Sequence, residues 1–523
     1  MNGCPMPKIV SNRFVCLLAG SLTWFANAAA LTSEATEVAA LSEALQTISE
    51  DDLRAHVEVL ADDSLEGREA GSRGGHAAAK YLALLFKKYD LKPAGDEGSY
   101  YQAFGKGYRN ILGVLPGSDT RLQEEFIVVG AHYDHVGYGS RTNSFGPYGA
   151  IHNGADDNAS GTSAILELVE AFHQKEFRPR RSVLFCFWDS EEKGLLGSKH
   201  WLAHPTVELA QVKFSINLDM IGRLRDEGLS IYGERTASGL RPFMSRVNED
   251  QLKLQFNWDI QADSDHYPFI QNQIPTVMMH TGLHGEYHRP SDDIETLNYP
   301  GMQRVTRYVA RTVWELAEQQ ELFQFRAESM RESESSRKRF ERAAPPFPTR
   351  LGVTLNSTKN KILRIGEVLA GSPAERAGLR QGQQVLEVNG KALGSEEQFW
   401  NHVFDSPEVV MVKVQDSENA EPQELDVRLG GRPLRIGLSW RLDQGHPGVA
   451  LVSRISRHSR ADRAGLRSGQ RIYSVNGKTV LSDLELQRSL VEAEGALQLQ
   501  VESAGRIQEF VIDLTQQDVD QAD

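Results

Sequence analysis

The chain has 523 residues, of which 40% are hydrophobic and 24% are charged, and its formal net charge is −14. This length predicts about two to four domains. The composition is typical of a globular protein and excludes both a disordered chain and a bundle of membrane helices. The acidic balance argues against a nucleic-acid partner, because neutralising phosphates requires a basic surface.

The N-terminus has the three parts of an export signal. Lys8 and Arg13 are basic, residues 14–25 form an apolar run too short to cross a bilayer, and the segment ANA at 26–28 has the small-x-small pattern of a cleavage site. The pattern predicts a signal peptide over residues 1–30 and a periplasmic or extracellular protein, with a buried N-terminal helix as the alternative. No later segment is long and apolar enough to cross a membrane, so no stable membrane span is expected after signal removal.

Residues 31–320 are predicted to form one α/β domain. Residues 51–60 and 75–89 have helical patterns, and from residue 109 to about residue 317 apolar strands alternate with helical stretches. This alternation predicts a mixed sheet flanked by helices.

Side chains that bind metals follow or end several strands of this predicted sheet. The apolar runs are residues 126–131, 183–188, 214–218 and 276–279. The ligand-type residues are His132, Asp156, Glu191, Glu192, Asp219 and His288, in the segments GAHYDH, GADDNASG, WDSEEKG, NLDMIG and EYHRPSDD. Because ligands gather at the carboxyl ends of strands in open α/β sheets, these side chains can converge. Imidazoles combined with carboxylates are a ligand set that suits zinc.

A hydrolase can use such a set. Two metal ions about 3.5–4 Å apart lower the pKa of a water between them and polarise a peptide carbonyl. One carboxylate must bridge the ions, and another, not bound to metal, must take the proton from water and pass it to the leaving amine. The adjacent residues Glu191 and Glu192 can divide these tasks, one binding metal and the other facing the substrate.

The ligand motifs resemble those of the M28 peptidases, zinc aminopeptidases with a phosphorylase/hydrolase-like α/β fold, over roughly residues 51–316. The resemblance implies two Zn²⁺ ions per chain. It assigns His132, Asp156 and Asp219 to one ion and Asp156, Glu192 and His288 to the other. Asp156 would therefore bridge the ions, and Glu191 would be the general base and acid.

The same resemblance implies a set of supporting residues. Asp134 would orient His132 by a hydrogen bond, and the peptide bond between Asp156 and Asp157 would be cis. The residues expected beside the ligands rather than on metal are Asp134, Asp157, Asp265 and Asp292. The donor to the tetrahedral intermediate stays open, because Gln261 stands where some family members have a tyrosine. The candidates for that role or for substrate contact are Gln261, His280 and Tyr287.

Charge and proline separate this region from the C-terminal part of the chain. Residues 321–349 are rich in charge and contain Pro345, Pro346 and Pro348, which predicts a semi-rigid linker. Beyond it, SPAERAGLRQGQQVLEVNGK matches SRADRAGLRSGQRIYSVNGK at a displacement of 87 residues. The repeat predicts two small β-rich domains over residues 350–432 and 433–516.

Each repeat resembles the bacterial form of the PDZ domain, in its opening LGV or IGL, its AGL-x-x-G segment and its VNGK turn. Such domains bind extended peptides by adding a strand to a sheet edge. Gln383 and Gln470 stand where Asp is common in the family, and glycine is sparse in both opening loops. A structural or oligomerising module is therefore the alternative to a peptide-binding one.

Together, these resemblances imply an exported zinc aminopeptidase that hydrolyses N-terminal residues from peptides with a free N-terminus. A zinc carboxypeptidase, a glutaminyl-cyclase-like enzyme and a non-catalytic PDZ scaffold are the alternatives. A substrate with a blocked amine distinguishes the aminopeptidase from the carboxypeptidase, and the two-metal ligand set disfavours a one-zinc cyclase.

Overall fold

A computed structural model describes residues 40–173, 178–344, 350–357, 362–430, 435–479, 482–491 and 493–515. The predicted export signal and the three prolines of the predicted linker lie outside these ranges. The chain divides into two compact units, Met1–Leu224 with Thr281–Leu322 and Arg225–His280 with Phe323–Asp523. Within the described ranges, no helix combines the length and hydropathy that a membrane crossing requires.

The helices and strands are numbered here in chain order. The helices are α1 (Glu50–Leu60), α2 (Arg73–Lys88), α3 (Gly161–His173), α4 (Leu196–Ala203), α5 (Leu240–Arg246), α6 (His266–Gln271), α7 (Tyr299–Glu318), α8 (Glu334–Glu341), α9 (Pro373–Arg376), α10 (Glu396–Asp405), α11 (Arg460–Arg463) and α12 (Asp483–Val491). The first strands are β1 (Lys92–Pro93), β2 (Tyr101–Phe104), β3 (Tyr108–Leu115), β4 (Phe126–His132), β5 (Ser182–Trp188), β6 (Val212–Leu218), β7 (Leu229–Tyr232), β8 (Leu254–Asn257) and β9 (Thr276–His280). The remaining strands are β10 (Val353–Ser357), β11 (Leu363–Val368), β12 (Gln384–Val388), β13 (Lys391–Ala392), β14 (Val409–Gln415), β15 (Gln423–Arg428), β16 (Leu438–Leu442), β17 (Ala450–Ile455), β18 (Arg471–Val475), β19 (Lys478–Thr479), β20 (Ala496–Ser503) and β21 (Arg506–Asp513).

The first unit has a mixed sheet in the order β1-β3-β5-β4-β6, with β2 paired to β3. β4 runs parallel to β5 and β6, whereas β3 runs antiparallel to β5. Every residue of β5 is buried, as expected for a strand covered on both faces. The mixed sheet flanked by helices that the sequence predicts is confirmed.

The helices of this unit begin where the sequence supplies caps. The Ser49 hydroxyl accepts a hydrogen bond from the amide of Asp52 at the start of α1, and the Ser72 hydroxyl accepts one from Gly75 at the start of α2. α1 buries Leu53, Val57 and Leu60, which lie on one face at helical spacing. These two helices match the predicted ones closely.

The second unit contains a group of three neighbouring strands and two small sheets. β9, β7 and β8 are neighbours, with β7 parallel to β8 and antiparallel to β9. The other two sheets are antiparallel and have the same topology, β10-β11-β12-β14-β15 and β16-β17-β18-β20-β21, each with one short extra strand. Each has its own hydrophobic core, so the repeat corresponds to two separately packed domains.

The two glutamines that depart from the PDZ pattern have the same structural task in both repeats. The Gln383 side chain accepts a hydrogen bond from the amide of Arg380 at 2.8 Å, and the Gln470 side chain accepts one from Arg467 at 2.7 Å. Each glutamine thus stabilises the turn between AGL and the next strand.

The segment before the repeats is more structured than the predicted linker. Part of it forms α8, whose first residue, Glu334, accepts a hydrogen bond from the amide of Trp258 at 2.9 Å. Just before α8, Glu332 pairs with Arg235 at 2.7 Å. Its charged residues therefore anchor it to the Arg225–His280 segment. The sequence analysis did not predict this order, because the segment has no apolar periodicity.

Candidate metal centre and active site

Three neighbouring strands of the first sheet end at one edge, and ligand-type side chains follow there. β4 ends at His132, which lies opposite Trp188 at the end of β5. Glu191 and Glu192 follow β5, and Asp219 follows β6. Nε2 of His132 lies 3.6 Å from a carboxylate oxygen of Asp219.

The turn before α3 presents Asp157, rather than Asp156, to this cluster. One oxygen of Asp157 lies 3.3 Å from Nε2 of His132, and the other lies 3.1 Å from Nε2 of His288. The Asp156 carboxylate instead accepts a hydrogen bond from the amide of Gly222 at 2.7 Å. The expectation that Asp156 bridges the metals is therefore wrong, because the irregular turn Ala155–Ser160 directs these adjacent side chains to different partners.

The cis peptide bond is also one residue further along than expected, between Asp157 and Asn158. The Asn158 side chain ties this turn to the end of β6. It donates to the carbonyl oxygen of Leu218 at 2.9 Å and accepts from the amides of Gly161 at 3.0 Å and Met220 at 3.2 Å. The position of Asp157 is thus fixed by the strand that precedes Asp219.

The ligand-type atoms form two groups that share Asp157. The groups are His132, Asp157 and Asp219, and His135, Asp157, Glu192 and His288. Four imidazole-to-carboxylate separations in them are 3.3, 3.6, 3.1 and 3.2 Å. Zinc bonds of about 2.0–2.2 Å in tetrahedral geometry separate ligand atoms by about 3.3 Å. These separations are therefore those expected between ligands of a zinc ion, and Asp157 is common to both groups.

His135 is a member of the cluster that the sequence analysis missed. Its side chain is fully buried, and its Nδ1 lies 2.9 Å from Oε1 of Glu192. That separation is a hydrogen-bond distance and is shorter than the other imidazole-to-carboxylate distances of the cluster. His135 therefore donates to Glu192 and orients it. The one available signal was a second histidine three residues after His132.

The excess of carboxylates raises the pKa of the imidazoles. Burial alone would lower the pKa of His288, but Asp157 and Glu192 outweigh burial and raise this pKa to about 10. Burial also opposes protonation of His132, yet the neighbouring carboxylates, Glu191 among them, raise its pKa well above the ordinary value. A site that holds protons so strongly has an excess of negative charge, which a metal cation can neutralise instead.

Glu191 lies at the cluster but belongs to neither group. Its backbone amide donates to the Asp134 carboxylate at 3.0 Å, and only 9% of the residue is exposed. The Asp134 carboxylate does not have its expected role. The atom close to Nδ1 of His132 is the Asp134 backbone carbonyl oxygen, at 3.1 Å, whereas the Asp134 carboxylate lies 3.9 Å from Nδ1. The Asp134 carboxylate thus positions the backbone of Glu191.

Asp292 lies beside the ligands and supports the turn that carries Asp157. It accepts hydrogen bonds from the amide of Asp156 at 3.1 Å and from the amide of Asp157 at 3.0 Å. Its second oxygen accepts from Arg223 at 3.1 Å, and Arg223 also pairs with Glu286 at 2.6 Å. Arg223 therefore connects the turn to the loop that precedes His288.

A second support, Arg68, is completely buried. Its guanidinium donates to the carbonyl oxygens of Leu60, Tyr133, Asn153 and Gly154 at 2.5–2.9 Å. Burial lowers the pKa of Arg68 to about 10, although Asp157 and other carboxylates oppose this change. Arg68 lies in the segment LEGREAG, and no sequence pattern predicts that it holds together the loops after His132 and before Asp157.

The His288 loop carries an aromatic group beside the cluster. The Tyr287 ring stacks on His288 at a centroid distance of 3.9 Å. Burial, with Asp157 and Glu192 nearby, raises the pKa of Tyr287, so its hydroxyl keeps its proton. The amide of Phe145 donates to the His288 carbonyl at 3.1 Å, while the Phe145 side chain remains largely exposed.

Three other predicted site residues belong to the second unit. Gln261 is exposed in the loop between β8 and α6. Asp265 is fully buried at the N-cap of α6. His280 ends β9, where it pairs with Ser230 of β7.

The first repeat domain contains a groove of about 640 Å³. It lies between the edge strand β10 and α10, and Val353, Trp400 and Phe404 are among its apolar walls. Residues 455–458 of the second repeat domain complete one side, where His458 stacks on Trp400 at 4.8 Å.

Parts of this chain resemble known protein families and individual proteins. Residues 110–313 match the sequence model of peptidase family M28, and residues 364–415 and 451–499 match that of the PDZ domain. Leupeptin-inactivating enzyme 1 of Streptomyces exfoliatus is 25% identical over 337 residues, which covers 60% of this chain and 72% of that protein. Aminopeptidase YwaD of Bacillus subtilis is 28% identical over 222 residues, which covers 40% of this chain and 44% of that protein. The LapA aminopeptidase structure of Legionella pneumophila is 21% identical with a TM-score of 0.45, covering 54% of this chain and 75% of that one.

The His, Asp and Glu side chains at the strand ends of a mixed α/β sheet, together with the M28 match, place this domain in the metallopeptidase class. The domain that contains residues 110–313 is a peptidase family M28 domain of the zinc metallo-aminopeptidase type, and two PDZ domains follow it.

Proposed function

We propose that this protein is an exported aminopeptidase that uses two zinc ions per chain. The observation that carries the proposal is the position of Asp157, whose two oxygens face imidazoles of different ligand groups. One carboxylate between two ions is what a two-metal hydrolase requires.

The ligands can now be assigned to the two ions. His132, Asp157 and Asp219 would hold one, and Asp157, Glu192 and His288 would hold the other, with His135 orienting Glu192. Three protein ligands on each ion leave a position open, as catalytic zinc sites require. When bound, the ions supply Lewis acidity toward the peptide carbonyl and acidify the water that attacks it.

Glu191 is assigned the proton transfers. It lies outside both ligand groups, is buried, and has its backbone fixed by Asp134. Its carboxylate would take a proton from the attacking water and deliver it to the nitrogen of the leaving peptide.

Two further residues are assigned to the substrate. The protonated Tyr287 hydroxyl, on a ring stacked against His288, is the hydrogen-bond donor proposed for the oxyanion. Gln261, an exposed residue of the second unit, is not assigned this task. The acidic cluster also suits a free α-amine, because a positive N-terminus is attracted to carboxylates.

The principal test compares Glu191→Gln with the wild-type enzyme on aminoacyl anilides. The neutral isostere removes the base but no metal ligand, so zinc content should persist while turnover falls by about 10²–10⁴-fold. Glu124→Gln, at an exposed position of the same unit, is the matched control and should retain full turnover. Full activity in Glu191→Gln would remove Glu191 from this role.

A second set of substrates separates the neighbouring activities. The same peptide is offered with a free amine, with an acetylated amine and with an amidated carboxyl end. An aminopeptidase loses activity only on the acetylated peptide, whereas a carboxypeptidase loses it only on the amidated one. Cleavage of the acetylated peptide as fast as the peptide with a free amine would contradict the proposal.

Two parts of the proposal concern location and peptide binding. Export rests on the sequence pattern of residues 1–30, and N-terminal sequencing of the mature protein should find it beginning close to residue 31. Peptide capture rests on the groove beside edge strand β10 in the first PDZ domain. In a pull-down, extended peptides should bind the wild-type protein through that groove. Val353→Lys, which places a charge in the groove, should abolish this binding.

A further inference from the structure

A second cluster of ligand-type side chains lies in the first unit, away from the residues of the active site. It comprises His56 of α1 with Glu167 and Glu170 of α3, whose ligand atoms all lie within 4.8 Å of one another. The two glutamates are three residues apart, so their carboxylates share one face of the helix. It shares no residue with the two groups around Asp157.

Glu167 is the most informative member of this cluster. Only 2% of the residue is exposed. One carboxylate oxygen accepts a hydrogen bond from the amide of Ser49 at 3.1 Å. The other oxygen, Oε1, is buried without a hydrogen-bond partner among the residues the structure describes. Such an atom is costly to bury unless something else satisfies it.

The unsatisfied oxygen faces the imidazole of His56. Nδ1 of His56 lies 2.7 Å from the hydroxyl of Tyr81, which fixes the ring with Nε2 toward Glu167. Nε2 lies 3.7 Å from Oε1 of Glu167, too far for a hydrogen bond. The separation is close to the roughly 3.3 Å between two ligand atoms of one tetrahedral zinc ion.

The contact of Glu170 with its neighbour and the protonation state of His56 are also those expected of metal ligands. The Tyr89 hydroxyl donates to Glu170 and orients its carboxylate, as residues behind metal ligands do. Burial lowers the pKa of His56, so the imidazole is neutral and has a free lone pair. Burial is the main cause that raises the pKa of Glu167 to about 8, and Asp52 and Glu170 contribute in the same direction.

We propose that His56, Glu167 and Glu170 bind a divalent transition-metal ion, with zinc as the ion tested. One imidazole and two carboxylates are a suitable ligand set, and a water completes four-coordination. The ion would join α1 to α3, the helix that begins just after Asp157. Its role is structural, and the site does not depend on the function proposed for the catalytic cluster.

The test is a difference in zinc content between matched variants of the full chain. Protein is stripped with chelator, saturated with zinc chloride, desalted and analysed for zinc per chain. Glu167→Gln, which keeps an acceptor for Ser49, should bind one zinc ion fewer than the wild type while its turnover is unchanged. Glu58→Gln, an exposed position on α1, should bind the wild-type number. Because the readout is a difference, it holds whatever the stoichiometry of the active site.

Equal zinc numbers in Glu167→Gln and the wild type would overturn the proposal and leave a protonated Glu167 as the explanation of the cluster. If the variant does not fold, diffraction from wild-type crystals at the zinc absorption edge decides. An anomalous peak between Nε2 of His56 and Oε1 of Glu167 supports the site. A map with no peak at that position refutes it.

Discussion

Two regions of this molecule bury charged side chains, and they do so in different ways. In the second unit, the Arg225–His280 segment meets the second PDZ domain through paired charges. Arg241 contacts Glu502 at 3.0 Å and Arg235 contacts Asp443 at 2.6 Å. Burial alone would raise the pKa of Glu502, but Arg241 and its neighbours outweigh burial and lower it to about 2. Each of these carboxylates contacts an arginine, and Arg235 also pairs with Glu332.

The metal centre of the first unit lacks this balance. Asp157 and Glu192 pair with imidazoles, and two further carboxylates, Glu191 and Asp219, lie at the same edge of the sheet. The consequence appears in the pKa of His288, which rises to about 10.

The comparison shows how a structural cluster of buried charges differs from a functional one. Charges that neutralise one another hold two segments together and need nothing more. Charges that do not balance destabilise the folded protein until a cation arrives, so they are retained for what the cation does. The predictions that follow test this difference between balanced and unbalanced buried charges.

The largest effect is expected from removing the shared ligand. Asp157→Asn should lose zinc and reduce turnover by about 10³-fold or more, because several kcal/mol of transition-state stabilisation depend on the metals. The metal-free variant should nevertheless be at least as stable to urea as the metal-free wild type, since one unbalanced charge is gone. Asp156→Asn should retain its zinc. Zinc loss in Asp156→Asn but not in Asp157→Asn would reverse the assignment.

Removing one charge from the Arg241–Glu502 pair should have the opposite effect, a loss of stability without a loss of zinc. Glu502→Gln leaves the Arg241 guanidinium buried without its anion, so unfolding free energy should fall by about 3–5 kcal/mol. Zinc content should not change. Glu509→Gln, an exposed position on neighbouring β21, provides the control and should leave the urea midpoint unaltered. A stable Glu502→Gln variant would show that these pairs do not hold the interface.

A smaller effect is expected for the histidine that orients a ligand. His135→Ala should weaken zinc binding at one site by about 10–100-fold, as loss of a residue behind a metal ligand does. Competition with a chromophoric chelator measures this affinity, and the exposed His204→Ala is the control. Complete loss of one ion at saturating zinc would instead make His135 a ligand.

The two regions should also differ in their response to acid. The folded-state pKa of Glu502, about 2, lies below its ordinary value of 4.5, so its contribution to stability is full above pH 4.5 and is lost as the pH falls toward 2. Zinc affinity should fall earlier on acidification, because protons compete for the imidazoles. Urea midpoints and zinc content are measured across the same pH series. Unfolding that precedes zinc loss would contradict this order.

Much of the fold could be predicted from the sequence because local patterns determine it. The apolar run that ends at His132 and the β-rich run that precedes Asp219 become β4 and β6. The repeat of 87 residues required two similar domains, and two sheets of the same topology are found.

The site was less predictable where neighbours of the same type compete for one role. Asp156 and Asp157 have identical side chains, and only the irregular turn decides which of them faces the imidazoles. His135 was missed because its contact with Glu192 depends on the loop after β4, which has no periodicity. The ordered segment before the repeats was missed for a related reason, since Glu332 finds its partner Arg235 far away in sequence.

The most direct test of the central claim is diffraction at the zinc absorption edge from crystals of the zinc-saturated enzyme. We predict one anomalous peak among His132, Asp157 and Asp219 and a second beside Glu192 and His288, one on each side of the Asp157 carboxylate. A single peak, or a peak on the Asp156 carboxylate, would contradict the two-zinc site described here.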